Sequence, residues 1–259
     1  MKVLFIGDVV GGPGRRGLKA AMPGLRERYS PDLTIVNGEN SAGGMGITEK
    51  TAGALFDAGC DVITTGNHVY RHREAYDFLD RAERVIRPAN YPHANPGKGH
   101  VVVEVGGMRV GVINLSGAIG LHVARLPFHE VDSILDRIEA DCVVVDFHAE
   151  VSSEKVAIGW HLDGRVAAVF GTHTHVPTAD GRVLPRGTAF ISDVGMTGSR
   201  TSVLGVKPAQ VLEGMTTQMP VRFETAEDDV WVMGAVVEIN SRGLADSIEQ
   251  VMVPAPTGP

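Results

Sequence analysis

Short, largely apolar runs that stop abruptly at polar residues recur along the chain. Residues 3–6 end in Gly7-Asp8, residues 33–36 in Asn37-Gly38-Glu39-Asn40, and residues 61–64 lead to Gly66-Asn67-His68. Runs of this length read as buried strands that leave the core at a polar loop. Between the first two, residues 15–29 have helical spacing, with Leu18, Met22 and Leu25 on one face. Residues 11–14 read as a turn, and Pro23 predicts a kink or interruption. Thr48 is suited to cap a helix running to about Ala58. Strand, helix, strand, helix, strand predicts an α/β fold with parallel strands. Farther on, residues 101–105 and 108–113 flank Gly106-Gly107, a hairpin signal that adds antiparallel pairing. Residues 131–140 look helical. Strands are predicted at 142–146, ending at Phe147-His148, and at 166–170, ending at Gly171-Thr172-His173-Thr174-His175. Two more, near 189–191 and 230–238, complete the pattern. Residues 199–229 carry the weakest pattern, with one short helix predicted from near Pro208. With no repeat or linker in view, residues 1–259 are expected to form a single domain, and the proline-rich tail 253–259 to fray.

Composition narrows the function classes. The 259 residues are 43% hydrophobic and 21% charged, as in an ordinary globular protein with a substantial core. A formal net charge of -7 disfavours a stable nucleic-acid complex or an anionic membrane surface. A small anionic substrate stays open, because a metal ion can supply positive charge locally. The opening apolar run is too short for a signal core, and no stretch approaches the ~20 apolar residues of a membrane helix. A soluble, cytoplasmic protein is therefore expected. Cys60 and Cys142 read as reduced core thiols. No heptad or apolar stripe decides for or against a homo-oligomer.

The chemistry-bearing residues cluster at the strand ends: Asp8, Glu39-Asn40, Asn67-His68, His148 and His173-Thr174-His175. In an open α/β sheet those ends meet in one crevice, where ligands bind. Taken singly, each has an ordinary reading: Asp8 as a capping residue, Glu39-Asn40 as a solvated loop, His148 as a structural imidazole. Alternation would put His173 and His175 on one side of an extended segment. Together, carboxylates, amide oxygens and imidazoles suit a hard-to-borderline metal such as Mn, Fe or Zn. Arg71, His72 and Arg73 fit a phosphate contact or a solvated helix start equally. His93, His100, His122, His129 and His161 belong to no such block and read as structural or surface residues.

The order Gly7-Asp8, Gly38-Glu39-Asn40, Gly66-Asn67-His68, His148, Gly171-Thr172-His173-Thr174-His175 resembles the calcineurin-like metallophosphoesterases over about residues 3–195. Three positions depart from the usual blocks: Val10 stands in place of a His, Glu39 in place of the bridging Asp, and Val69 where an acid often follows Gly-Asn-His. With the opening IGDVVG and the run NGENSAGGMGIT, these departures are similar to the bacterial YmdB-like branch, described as 2′,3′-cyclic-nucleotide phosphodiesterases. The resemblance implies a sandwich of two mixed β-sheets flanked by helices, with the site at the strand C-terminal ends. It implies two divalent or trivalent ions, Fe or Mn foremost and Zn also accommodated. Asp8, Glu39, Asn40 and His175 would hold one; Glu39, Asn67, His148 and His173 would hold the other. It further implies attack by a metal-bridging hydroxide on a small phosphodiester, with His68 as proton donor. Other readings stay open: a phosphomonoesterase or protein phosphatase with the same site, or a metal- and nucleotide-binding regulator with little turnover. Purely structural metals fit poorly, since such sites are closed and rich in thiolate.

Overall fold

Burial on both faces is what the short apolar runs encode. In the computed structural model, which describes residues 1–256, the elements follow in the order β1 (Lys2–Ile6), β2 (Asp8–Val9), α1 (Gly11–Tyr29), β3 (Leu33–Asn37), α2 (Glu49–Asp57), β4 (Val62–Thr64) and α3 (Ala75–Arg81). Then come β5 (His100–Val105), β6 (Met108–Ser116), α4 (Pro127–Leu135), β7 (Cys142–His148), α5 (Ser152–Leu162) and β8 (Ala168–Thr172). The last third holds β9 (Arg182–Val183), β10 (Ala189–Ile191), β11 (Met196–Ser199), α6 (Pro208–Thr217), β12 (Val230–Ile239) and β13 (Ala245–Pro254).

Two mixed sheets result, as the resemblance implied. The first has the order β2-β11-β12-β1-β3-β4, with β13 alongside β12; the second has the order β5-β6-β7-β8-β10-β9. In the first, β1, β3 and β4 run parallel and β12 pairs antiparallel to β1. In the second, β6, β7, β8 and β10 run parallel. The predicted hairpin is β5 against β6. Alternation along each strand then divides the core. Val3 and Phe5 of β1 face the second sheet among Val144, Phe170 and Ile191. The Phe5 and Phe170 rings stack across the gap at 4.6 Å. Leu4 and Ile6 face the other way, under Leu18, Met22 and Leu25 of α1. Ile113, Val145 and Phe147 form the corresponding outer layer with Val131 of α4 and Ile158 of α5. Helices thus cover both outer faces of the sandwich.

Several local expectations are corrected. Residues 11–14 form the first turn of α1, and Pro23 sits inside that helix without ending it. Pro23 lies on the exposed face of the helix, where solvent has access to the carbonyl its ring leaves free. Gly7-Asp8 does not leave the sheet at once: β2 pairs parallel to β11, Asp8 opposite Met196. Residues 136–140, expected to be helical, lie beyond α4, which starts earlier with Pro127 in its first turn. The local pattern does not predict α3, α5, β11 or β13. The tail expected to fray is ordered at Val253 and Pro254, which pair with Val232 and Trp231; residues 257–259 lie outside the described part. The Thr48 cap is present, with Thr51 reciprocating, and both cysteines are buried and free.

Candidate functional site

Four of the five polar strand ends carry a glycine whose Cβ would clash: Gly7, Gly38, Gly66 and Gly171. A Cβ at Gly66 would come within 2.3 Å of both the Glu39 carboxylate and the His148 ring, and one at Gly171 within 1.8 Å of the Ser192 carbonyl. The backbone therefore closes on itself, and all eight residues singled out from sequence meet at one edge of the sandwich. Asp8, Glu39, Asn40, Asn67 and His68 come from the first sheet; His148, His173 and His175 come from the second.

The tightest grouping surrounds His148. Its Nε2 lies 3.0 Å from Asn67 Oδ1, 3.2 Å from Glu39 Oε1 and 3.1 Å from His173 Nδ1. Glu39, His148 and His173 offer donor atoms that all lie within 4.8 Å of one another. A second grouping adjoins it: Asp8 Oδ1 is 3.8 Å from His175 Nε2, which is 3.1 Å from the Asn40 amide, itself 3.1 Å from Glu39 Oε1. Asp8 Oδ2 accepts from the His173 amide at 3.1 Å, whereas Oδ1 is buried with no hydrogen-bond partner. An uncompensated buried carboxylate oxygen is costly and marks a place for a cation.

The three imidazoles are each pinned from behind. His148 Nδ1 meets Thr172 Oγ1 at 2.9 Å, and that hydroxyl donates to Asp146 Oδ1 at 2.7 Å. His173 Nε2 meets Glu150 Oε2 at 2.8 Å. His175 Nδ1 meets the Leu204 carbonyl at 3.0 Å. With each outer nitrogen donating, the inner nitrogen's lone pair faces the shared volume. With no cation there, electrostatics put a proton on that volume instead. Burial works against charge on His148, yet Glu39, Asp8 and Asp146 push its pKa up to about 9. Burial and the neighbouring His148 push His173 down to about 4. Burial works to raise Glu39, but His148 and His68 hold it well below the ordinary carboxylate range. Burial raises Asp8 despite His175 and His148. Without a cation, one proton shared among clustered imidazoles balances the carboxylates.

The segment carrying His173 and His175 is not extended as expected. Both residues have left-handed backbone, with φ of 96° and 66°, a strained conformation for non-glycine residues. Thr174 between them is clamped: Asp193 Oδ2 accepts from its amide at 3.1 Å and its hydroxyl at 2.7 Å. Lys155 Nζ closes on the same oxygen at 2.7 Å, both partners being buried. The turn sends His173 toward His148 and His175 toward Asn40. His68 stands at the rim, Nδ1 3.0 Å from Asn40 Oδ1 and 3.2 Å from Glu39 Oε1. Val69, where related blocks carry an acid, is buried in the core beneath the helices. Asp146, Glu150, Lys155 and Asp193 escaped the sequence reading, although Glu150 stands two residues past His148, and Thr172 reads there only as part of its motif.

The family profile described as YmdB-like protein matches residues 4–251. A Bacillus subtilis protein named 2′,3′-cyclic-nucleotide 2′-phosphodiesterase is 44% identical over 256 residues, covering 98% of this chain and 97% of that protein. Among solved structures, a hypothetical protein from Thermus thermophilus superposes with a TM-score of 0.94 at 40% identity, covering 99% of this chain and 100% of that one. A novel phosphatase from Mycoplasma pneumoniae gives 0.93 at 33% identity, covering 98% and 93%. A 5′-nucleotidase precursor, also from Thermus thermophilus, gives 0.58 at 16% identity, covering 98% of this chain and 54% of that one, a likeness of fold alone.

Proposed function

Because the chain belongs to the YmdB-like protein family, we propose that it is a metal-dependent phosphodiesterase acting on small phosphodiesters, with 2′,3′-cyclic nucleotides as the foremost substrate class. The observation that carries this reading is the convergence of Glu39, Asn67, His148 and His173 on one volume, beside the unpartnered oxygen of Asp8. Donor atoms about 3 Å apart are what a single ion with bonds near 2.1 Å gathers around itself. The donor set is nitrogen and oxygen, with no thiolate, which fits Mn, Fe or Zn. Asp8, Glu39, Asn40 and His175 would hold one ion and Glu39, Asn67, His148 and His173 the other, with Glu39 shared. Such a pair, when bound, supplies an activated water and charge for the phosphoryl oxygens.

The chain's own residues account for the proton. Asn40 now turns its oxygen to His68 Nδ1 and its NH2 to His175 and Glu39. Asn40 Oδ1 and Glu39 Oε1 both lie within hydrogen-bond distance of His68 Nδ1 and hold a proton on that nitrogen. His68 Nε2 has no hydrogen-bond partner among the described residues. With a second proton there the ring is an imidazolium, and in that form it would donate to the leaving oxygen.

The test compares wild type, Asp8→Ala and His68→Ala, each loaded with Mn²⁺, on bis-p-nitrophenyl phosphate, 2′,3′-cyclic AMP and a phosphomonoester. Diester turnover should vanish in Asp8→Ala and fall about 10²–10⁴-fold in His68→Ala. A wild-type protein that holds two metal ions and turns over none of the three substrates would replace this reading with a binding role.

A further inference from the structure

Away from the site, a cavity of about 400 Å³ opens between the 87–100 segment and the end of α4. Its polar lining is Arg87, Lys98, Arg137, His93, His100 and Glu130, with Ile134 and Ile138 forming an apolar wall. Three permanent cations thus face one carboxylate, in a chain whose net charge is -7. That carboxylate is already engaged, since Glu130 Oε2 accepts from Arg125 at 2.9 Å. Lys98 has no acidic partner among the described residues.

Arg87 is the informative member. It is only 4% exposed, yet no carboxylate among the described residues pairs with it. One end of its guanidinium is fixed, with a nitrogen donating to the Pro88 carbonyl at 2.8 Å and the Ala89 carbonyl at 3.3 Å. Its Nε is buried with no acceptor. A buried, rigidly held guanidinium with no carboxylate beside it is costly unless an anion lies close to its charge. Arg137 is part-engaged by its own helix, through Ser133 O and Oγ at 2.8 and 3.0 Å.

We propose that this cavity is a second anion site, built for a phosphate or phosphomonoester dianion. Two arginines and a lysine match the charge and the donor geometry of a phosphoryl group. The volume lies within the range of small-molecule pockets, and the Ile134–Ile138 wall offers room for an attached apolar or aromatic body. None of its lining residues belongs to the phosphodiester site. His93 and His100, which fit no block in the sequence, acquire a place as part of the cavity wall.

The test is calorimetric titration of the full-length, metal-loaded chain with inorganic phosphate, 3′-AMP and adenosine. Wild type, Asp8→Ala and the double variant Lys98→Ala/Arg137→Ala are compared. Both cavity substitutions are at exposed positions, so folding should persist, as an unchanged thermal midpoint would verify. A phosphate-dependent binding event should survive Asp8→Ala and weaken at least about tenfold in the double variant. Diester turnover by the double variant, without added phosphate, should equal wild type. Tighter binding of 3′-AMP than of phosphate would identify a nucleotide as the source of the phosphoryl group; equal binding would identify free phosphate. Absence of any event that survives Asp8→Ala, indifference to the double substitution, or equal binding of adenosine would overturn the proposal. A catalytically silent protein that still shows the cavity event would sink the phosphodiesterase reading and leave this one standing.

Discussion

Replacing Lys155 with methionine keeps the length of the side chain and removes its charge, leaving Asp193 buried and unneutralised. The pair is 2.7 Å apart with side-chain exposures of 3% and 1%. Losing one partner of so buried a pair costs roughly 3–5 kcal/mol. At about 2–4 °C per kcal/mol for a chain near this size, the thermal midpoint of the metal-free protein should fall by roughly 6–20 °C. Asp193 keeps three hydrogen bonds, from the Thr174 amide and hydroxyl and from the Gly195 amide at 2.8 Å, which places the loss toward the lower end. The same carboxylate holds Thr174 between two histidines whose left-handed backbone costs about 1–3 kcal/mol each. A loosened clamp should let that turn relax, so Mn²⁺ affinity should fall together with stability. The assay is thermal unfolding with and without Mn²⁺ for Lys155→Met, Asp193→Asn and the double variant. The double variant, which leaves no unpaired charge, should recover most of the lost midpoint while metal affinity stays weak. A Lys155→Met protein that melts within about 2 °C of wild type and binds Mn²⁺ as tightly would refute the reasoning.

Glu150→Ala removes the acceptor behind His173 from a half-exposed position, so the metal-free midpoint should hold while affinity for one of two Mn²⁺ ions drops about 10–100-fold; equilibrium dialysis showing both ions retained with wild-type affinity would count against it. Asp8→Asn removes a carboxylate that burial disfavours, so the metal-free protein should melt no lower than wild type while the stabilisation by Mn²⁺ shrinks; a lower metal-free midpoint would contradict this. His148, raised to about 9, lends the metal-free fold about 3 kcal/mol that is fully present below pH ~6.5 and lost as pH rises through 9. Metal must displace that proton, so Mn²⁺ binding at pH 8 should release close to one proton, read as a buffer-dependent enthalpy; an enthalpy indifferent to buffer ionisation would rule it out.

Strand ends were the legible part of the sequence. An apolar run stopping at Gly-Asp or Gly-Asn-His declares both its burial and its exit point, which is why Asp8, Glu39, Asn40, Asn67, His68, His148, His173 and His175 can be assembled from the chain alone. What was hidden had its cause outside the local pattern. α5 buries Glu154 and Lys155 along with Ile158 and Leu162, so its inward face lacks an apolar stripe. Those two polar residues serve partners far along the chain, Glu154 accepting from the Ala118 amide at 2.8 Å and Lys155 pairing with Asp193. β13 buries few of its residues and reads as surface. The turn at His173-Thr174-His175 looks like alternation on paper, because nothing within it reports the carboxylate that bends it. Glu150 is easily passed over because an acid following a strand is ordinarily solvated.

Five of the eight residues at the site come from the first sheet and three from the second. Besides buried polar bonds such as those from Asn37 and Thr64 to Asp146, the two layers are joined by apolar side chains such as Phe5 and Phe170, contacts that tolerate sliding. An ion gripped from both sides is a cross-link that forbids it, and its strength is set by supply, growing as RT ln(1 + [M]/Kd). In metal-poor conditions the sandwich should therefore breathe first along this edge, with amide exchange at the ends of β3 and β7 quickening together. On the proposed metal binding, scarcity of the ion would then shorten the lifetime of the folded chain as well as silence it.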